Sequence, residues 1–265
     1  MKMGARARVC IKGCIILPLC IILCTNVSAR NESHWYCKRT SDHTQPTADP
    51  DMAWIAEYHG VYVDKAHADA SVDKVIYLTF DAGYENGNVA KILDVMRDEQ
   101  VCGAFFILGN LIERNPELVQ RMANEGHLVC NHTYTHKSIT CMNAQQICNE
   151  LKRLEDAYKK LTGKPMDSYF RPPEGTFDKD SLKVISDQGY TTVFWSFAYA
   201  DWDNEKQMSK QDAMKKIMDN LHNGEIMLLH PTSATNAAIL RDLIQQLKAM
   251  GYRFGSLDEL QKSVQ

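Results

Sequence analysis

The sequence lacks several features that would place it at once in a specialised class of protein. Only 8 of its 265 residues are proline, 24% are charged, and no motif recurs at a fixed period, so no long segment has the composition of a disordered or repetitive chain. The formal net charge is −3, whereas nucleic-acid-binding proteins have a basic surface that neutralises phosphates. With 45% hydrophobic residues, the chain is predicted to form a globular domain that binds no nucleic acid.

The cysteines do not have the spacing of a disulfide-rich domain or a structural zinc site. Four of the nine precede residue 30, and the other five are Cys37, Cys102, Cys130, Cys141 and Cys148. An odd number without a CxxC pair favours small apolar side chains, and Cys102 and Cys130 lie in apolar, strand-like runs. The pattern leaves open a single bridge between Cys141 and Cys148.

Residues 1–29 have the pattern of a secretory signal segment. Four basic residues precede position 13, residues 15–23 are almost wholly apolar, and small residues at 27–29 offer a cleavage site. We therefore expect an exported protein. The apolar run is shorter than the roughly 20 residues that span a bilayer, but an uncleaved signal anchor is the alternative and would be the only contact with the membrane. Cleavage changes the formal net charge from −3 to −7, because the segment has four basic and no acidic residues.

The rest of the chain divides into a lead-in and a domain of alternating strands and helices. Residues 30–72 are predicted to be an extended lead-in with one short helix near 52–58, and residues 73–265 to be the main domain. Strands are predicted at 75–80, 104–108, 127–130, 169–171, 191–195, 226–229 and 252–254. Helices are predicted at 89–97, 116–124, 144–161, 179–187, 210–221 and 236–250, four of them followed by Gly126, Gly163, Gly189 or Gly251.

This alternation predicts an α/β fold in which a single domain forms a distorted seven-stranded (β/α) barrel. A doubly wound sheet is the alternative, since it gives the same order of elements. Polar residues follow the predicted strands at or beyond their carboxyl ends, namely Asp81, His132, Arg171, Asp201 and His230. Because the carboxyl ends of parallel strands share one face, we expect these residues to converge in one cleft.

Asp81 and a histidine pair are the first candidates for chemistry in that cleft. Asp81 directly follows an apolar strand, where a carboxylate serves either as a helix or turn cap or as a general base. His132 and His136 are four positions apart, the spacing that places two imidazoles on one side of a helical turn. Neutral imidazoles suit Zn²⁺, Co²⁺ or Mn²⁺, although such a pair is by itself weak evidence for a metal.

Among the remaining candidates, His230 is the candidate acid, and the others have supporting roles. Arg171 is followed by two prolines and is predicted either to form a structural ion pair or to hold Asp81 ionised. His230 has an ordinary pKa of about 6.5 and can supply a proton if Asp201 stabilises its charged form. Trp202 packs or, at the edge of a cleft, stacks on a sugar.

With these motifs in order, residues 74–260 resemble the NodB-homology polysaccharide deacetylases, carbohydrate esterase family four. The resemblance implies a distorted seven-stranded barrel that hydrolyses N-acetyl or O-acetyl groups on sugars with a divalent metal. It assigns the catalytic base to Asp81, the metal ligands to His132 and His136, the base-orienting arginine to Arg171, the acid-tuning aspartate to Asp201 and the catalytic acid to His230. The family's usual second aspartate, a third metal ligand, is Ala82 here, so we expect a weakened metal site unless water, Asp81 or a nearby group such as Glu85 takes the third position.

Three further segments resemble one subgroup of that family. Tyr-Glu-Asn-Gly at 84–87, Arg-Pro-Pro-x-Gly at 171–175 and Phe-Trp-Ser at 194–196 are similar to peptidoglycan N-acetylmuramic acid deacetylases of the delta-lactam-biosynthetic type. This implies a peptidoglycan substrate and a role in spore cortex. Tyr84 and Trp202 are the candidates for sugar contacts. The alternatives are a deacetylase of N-acetylglucosamine in peptidoglycan or chitin-like glycans, a carbohydrate-binding pseudoenzyme, and a structural exported protein.

Overall fold

The computed structural model describes residues 32–68 and 71–263, and side chains up to residue 260. The predicted signal segment lies outside these residues. Within the described ranges, no helix combines the length and the apolar character needed to cross a membrane.

The elements are numbered in chain order. The strands are β1 (Ser33–His34), β2 (Cys37–Lys38), β3 (Thr47–Ala48), β4 (Gly60–Val61), β5 (Lys74–Ala82), β6 (Ala104–Ile107), β7 (Leu128–Asn131), β8 (Asp167–Phe170), β9 (Thr176–Phe177), β10 (Thr191–Val193), β11 (Glu225–Leu229) and β12 (Tyr252–Phe254). The α-helices are α1 (Val89–Asp98), α2 (Gly109–Arg114), α3 (Pro116–Asn124), α4 (Ala144–Thr162), α5 (Lys179–Asp187), α6 (Lys210–Asn220), α7 (Ala234–Ala249) and α8 (Leu257–Ser263). Short 3₁₀ helices cover Pro50–Tyr58, Lys65–His67, Ile139–Cys141 and Pro173–Gly175.

The main sheet is parallel and curled, which confirms the predicted α/β class. Its strands are ordered β11-β5-β6-β7-β8-β10-β4, and β12 pairs with the start of β5. The chain just beyond β10 bonds to β11, since Ser196 N donates to Ile226 O at 3.0 Å and Leu228 N donates to Phe197 O at 2.9 Å. These bonds draw the two halves of the sheet together, so the sheet curls as predicted and is not an open doubly wound sheet. All seven predicted strands are present, and β4 adds a two-residue strand from the predicted lead-in.

The alternation of side chains along β5 decides which residues reach the interior. Ile76, Leu78, Phe80 and Ala82 belong to the cluster that packs beneath the helices, whereas the intervening residues face the inside of the curled sheet. Burying each large apolar side chain contributes about 1.5–3 kcal/mol, so a shift of register by one residue is strongly disfavoured. Asp81 therefore lies on the inner face at the carboxyl end of the strand.

The helices cover the outer face because their apolar residues recur at helical spacing. Helix α1 buries Val89, Ile92, Leu93 and Met96. All four glycines expected at helix ends have positive φ, and Gly163 ends α4 with its N–H donating to Lys159 O. The carboxyl ends of four helices are thus marked by glycines that the sequence alone identifies.

The lead-in is packed against the domain by its aromatic residues. Strand β1 pairs with β9, and the predicted short helix is the 3₁₀ helix Pro50–Tyr58. The buried Trp35 ring stacks on Phe194 with centroids 4.4 Å apart, and its Nε1 donates to Trp195 O at 2.8 Å. Trp35 thereby ties the lead-in to the segment that follows β10.

Replacing Trp35 with alanine is expected to lower the free energy of unfolding by about 3–5 kcal/mol, because it removes a buried ring and leaves the Trp195 carbonyl without this donor. Urea denaturation followed by circular dichroism measures the change. Tyr36, whose side chain is 64% exposed, provides the control, and its alanine variant should stay within about 0.5 kcal/mol of wild type. Equal effects of the two substitutions would contradict this packing.

The five described cysteines are all free, so no bridge links Cys141 to Cys148. Cys37 and Cys130 are buried, as expected of small apolar side chains. The same expectation is wrong for Cys102 and Cys141, which are exposed, and Cys102 precedes β6 and does not belong to the strand.

Candidate active site

A pocket of about 740 Å³ opens at the carboxyl ends of the strands. It is lined by Asp81, Gly83, Tyr84, Leu108, His132, His136, Glu174, Gly175, Trp195, Ala198, Tyr199, Trp202, Leu228, His230 and Thr232. Two further predicted residues, Arg171 and Asp201, lie buried behind its wall. The structure thus brings all eight sequence-predicted site residues to one end of the sheet.

Arg171 orients Asp81 from inside the protein. Its Nη1 donates to Asp81 Oδ1 at 2.8 Å, and its other donors bond to Thr79 Oγ1 at 2.9 Å and to Val193 O at 2.9 Å. The guanidinium also lies over the Phe106 ring, 4.1 Å from the centroid. Because the fully buried arginine is held on several sides, it fixes one carboxylate oxygen and leaves Oδ2 directed toward the pocket.

The charges around Asp81 favour its ionised form. Burial raises the pKa of Asp81, but the positive charge of Arg171, followed by the smaller effects of His132 and His230, lowers it further than burial raises it. The net pKa lies below the ordinary value for aspartate. Asp81 is therefore a carboxylate at neutral pH, able to accept a proton.

The histidine pair lies in a loop, so the predicted helical turn is wrong. After β7, Thr133 and His136 adopt φ of 69° and 59°, which no α-helix contains. The loop is held by Asn131 Oδ1, which accepts from Thr133 N at 2.9 Å, and by Thr133 Oγ1, which accepts from His136 N at 3.0 Å. The two imidazoles of His132 and His136 still meet, with ring centroids 5.0 Å apart.

Both imidazoles are neutral and one has a fixed tautomer. His132 Nδ1 donates to Arg171 O at 2.8 Å, which leaves Nε2 unprotonated, 3.6 Å from Asp81 Oδ2. Burial lowers the pKa of His132 to about 4, and burial also lowers the pKa of His136. Neutral imidazoles with free lone pairs are the donors that Zn²⁺, Co²⁺ and Mn²⁺ bind, so this pair fits a divalent cation.

Within the described part of the chain, the histidine pair lacks a third protein ligand of the usual kind. Ala82 is fully buried among apolar residues and does not line the pocket. In residues 32–68 and 71–263, no three His, Cys, Asp or Glu side chains are arranged to hold a metal ion. Two imidazoles without a third ligand are expected to bind a cation more weakly than a complete tetrahedral site.

On the other side of the pocket, Asp201 holds His230. His230 Nδ1 donates to Asp201 Oδ1 at 2.7 Å, and Asp201 Oδ2 accepts from His230 N at 2.8 Å and from Asn236 Nδ2 at 2.6 Å. Asn236, in turn, accepts from the hydroxyl of Tyr199. Asp201 is buried and has donors on both oxygens, so it is fixed in the orientation that places His230 against the pocket.

The electrostatics of His230 are opposite to those of the histidine pair. Burial lowers the pKa of His230, but its hydrogen bond to Asp201 and the charges of Asp201 and Asp81 raise it by more. The net pKa lies above the ordinary value for histidine. This favours the imidazolium form of His230, in which Nε2 is a proton donor.

The rim of the pocket has exposed aromatic side chains. Tyr84 is 44% exposed, and its hydroxyl accepts from Asn204 Nδ2 at 2.6 Å. Trp202 is 60% exposed, and its ring centroid lies 6.2 Å from that of His230. Flat, partly wet rings at the edge of a pocket are suited to stacking on sugars.

Sequence reasoning missed Asn236 and Glu174. Asn236 is the third residue of α7. A polar residue in the buried first turn of this helix was the only signal for it, and this signal is weak. Glu174 follows β8 and lines the pocket wall, and its place in the Arg-Pro-Pro-x-Gly segment was the signal available for it.

The curled parallel sheet and the pocket at its carboxyl ends agree with the predicted resemblance. The pocket combines an ionised aspartate, a neutral histidine pair and a histidine whose pKa is raised. The chain belongs to the polysaccharide deacetylase family, whose model, described as Polysaccharide deacetylase, matches residues 68–193. Family membership confirms the predicted class of enzyme, a polysaccharide deacetylase.

Individual relatives support the same family. The chain is 40% identical over 228 residues to the peptidoglycan-N-acetylmuramic acid deacetylase PdaA of Bacillus subtilis, covering 86% of this chain and 85% of the relative. It is 32% identical over 189 residues to a peptidoglycan-N-acetylglucosamine deacetylase of Bacillus cereus, covering 70% of this chain and 67% of the relative. The solved structure of Bacillus subtilis PdaA, described as a family 4 carbohydrate esterase, matches with a TM-score of 0.83 and 39% identity, over 89% of this chain and 99% of that one.

Proposed function

We propose that the protein hydrolyses the N-acetyl group of N-acetylmuramic acid residues in peptidoglycan, outside the cytoplasm. The observation that supports this most is that one pocket holds both an ionised Asp81 and His230, whose pKa is raised by Asp201. Similarity to the muramic acid deacetylase of Bacillus subtilis over most of both chains favours muramic over glucosamine residues. A role in spore cortex, through the amine that closes into muramic delta-lactam, follows from the same similarity and is part of the proposal.

The proposed mechanism uses the two sides of the pocket in sequence. Asp81, held by Arg171, removes a proton from water as the water attacks the acetyl carbonyl. His230, held by Asp201, then protonates the departing amine nitrogen, and acetate leaves. Trp202 and Tyr84 bind the sugar at the rim. Each proton transfer is expected to contribute about 10²–10⁴ in rate.

We also propose that His132 and His136 hold a divalent cation, zinc or else cobalt or manganese. When bound, such an ion polarises a carbonyl and stabilises the negative charge that develops on its oxygen. His132 is prepared for this role because the Arg171 carbonyl fixes its tautomer. Ala82 weakens the site, so the ion is expected to exchange readily with solvent.

Removal of the metal is expected to abolish acetate release, and added zinc, cobalt or manganese to restore it. His136→Ala should bind less metal than wild type after dialysis against zinc, measured by elemental analysis, because half of the imidazole pair is gone. His43, which bonds to Leu221 O away from the pocket, provides the control as His43→Ala. Full activity in a chelated, metal-free protein would contradict this part of the proposal.

A carbohydrate-binding pseudoenzyme is the second candidate, and Ala82 is the observation that favours it. Both candidates, and the choice of sugar, are tested by one experiment. The mature protein is incubated with intact peptidoglycan, peptide-stripped peptidoglycan and chitin oligosaccharides in the presence of divalent ions. Mass spectrometry should show loss of acetyl groups from muramic residues of the stripped glycan. Loss from glucosamine residues would support the alternative substrate, and binding without loss of acetyl groups would support the pseudoenzyme.

A further inference from the structure

Strained backbone is concentrated at the pocket. In the described ranges, six residues other than glycine have φ between 56° and 69°, and three of them, Thr133, His136 and Glu174, lie in the loops after β7 and β8. Such conformations persist only where the surrounding structure imposes them, and they recur at functional sites. Glu174, with φ 59° and ψ 9°, lies between Pro173 and Gly175.

The surroundings of Glu174 fix its backbone but not its carboxylate. Gly175 N donates to Pro172 O at 3.0 Å, Trp35 N donates to Gly175 O at 2.8 Å, and Gly175 is packed closely against the Trp195 ring. The Glu174 side chain is exposed and lines the pocket, and among residues 32–68 and 71–263 it has no hydrogen-bond or ion-pair partner. The strained backbone therefore presents at the pocket wall a carboxylate that forms no hydrogen bond or ion pair with the described residues, although its charge is close enough to His136 to raise the pKa of that histidine.

The position of this carboxylate suits a ligand with hydroxyl groups. Asp81 and Glu174 provide the only carboxylates among the residues that line the pocket, and Arg171 already occupies one oxygen of Asp81. Glu174 follows β8, so it lies between the histidine loop after β7 and Trp202, which follows β10. A sugar stacked on Trp202 with its acetamide between Asp81 and His230 would turn a hydroxyl-bearing edge toward this wall.

We propose that Glu174 binds a hydroxyl group of the sugar and so positions the N-acetyl group, an inference that rests on the proposed glycan substrate. An ionised carboxylate offers only acceptors, and its hydrogen bonds to hydroxyl donors are short and strong. Glu174 then acts on binding and not on proton transfer. The strain is retained because glycine, which tolerates this φ better, has no side chain to bind the sugar.

Two substitutions at position 174 separate binding from strain. Glu174→Gln keeps the shape and removes the charge, and Glu174→Gly removes both the side chain and the strain. We expect both to raise KM for peptide-stripped peptidoglycan about tenfold, because a charge-assisted hydrogen bond is lost. The kcat should stay within about twofold of wild type. Glu174→Gly should also have a higher melting temperature than wild type.

Gln100 provides the matched control for strain, since it has φ 56°, is exposed and lies away from the pocket. Gln100→Gly should raise the melting temperature in the same way and leave KM unchanged.

Affinity for the glycan is also measured by calorimetry in an Asp81→Asn background, with and without Glu174→Gln. This readout decides the role of Glu174 even if the wild-type protein releases no acetate, a result that would refute the proposed function alone. Unchanged KM and affinity in Glu174→Gln, or a loss confined to kcat, would overturn the proposal.

Discussion

Asp81→Asn is expected to lower the rate of acetate release by about 10²–10⁴-fold, the largest effect of any single substitution in this pocket. The amide keeps the shape of the carboxylate and its bond to Arg171 but cannot accept a proton from water. Acetate is quantified after incubation with peptide-stripped peptidoglycan at saturating metal. The loss should fall on kcat, because Asp81 acts in the proton-transfer step.

The same substitution has a predictable cost in stability, which must be measured separately. The pKa of Asp81 is depressed in the folded protein, so its ionisation stabilises the fold above the unfolded pKa of about 3.9, and this contribution is lost as pH falls through the folded pKa. Asp81→Asn removes that contribution at neutral pH and leaves Arg171 buried without its counter-charge. Asp242→Asn, an exposed substitution on α7, is the control. A folded Asp81→Asn protein with near-wild-type activity would refute the assigned base.

Asp201→Asn is expected to shift the alkaline limb of the pH–rate profile to lower pH and to reduce kcat about 10²-fold at pH 8. The hydrogen bond and the charge of Asp201 raise the pKa of His230, and the variant lacks the charge. Asparagine also has one acceptor oxygen for three donors, so an amide N–H that faces His230 Nδ1 would impose the wrong tautomer.

The direction of this shift distinguishes the acid role of His230 from a base role. Activity requires the protonated imidazole, which is present below the folded pKa and lost as pH rises through it. The interaction of His230 with Asp201 also stabilises the fold. This stabilisation is fully present below the pKa of His230 in the unfolded chain and is lost as pH rises through its pKa in the folded protein. Asp203→Asn, two residues away and half exposed, should leave the profile unchanged. An alkaline limb that stays in place in Asp201→Asn would contradict the assigned acid.

Much of this site was predictable because βα folds place strand ends on one face. Asp81 lies near the end of β5, whose apolar run is clear in the sequence, and Arg171 directly follows β8. Their 2.8 Å contact is a consequence of the parallel order. Strand β4 was not predicted, because two residues are too short for a periodic pattern.

The parts that sequence reasoning missed depend on contacts between distant segments. The histidine loop has positive φ at Thr133 because Asn131 holds it, and Asn131 is itself held by Leu151 and Tyr190. Four-residue spacing alone therefore suggested a helical turn. Asn236 was missed for a similar reason, since its role appears only when α7 packs against Asp201.

The central claim is that the acetyl group is hydrolysed between Asp81 and His230. The most direct measurement is a crystal structure of the Asp81→Asn variant with a bound N-acetylated, peptide-stripped glycan. The account predicts that the acetamide carbonyl lies between residue 81 and His230, with the amide nitrogen within about 2.6–3.2 Å of His230 Nε2. A glycan bound with its acetamide outside this pocket would contradict it.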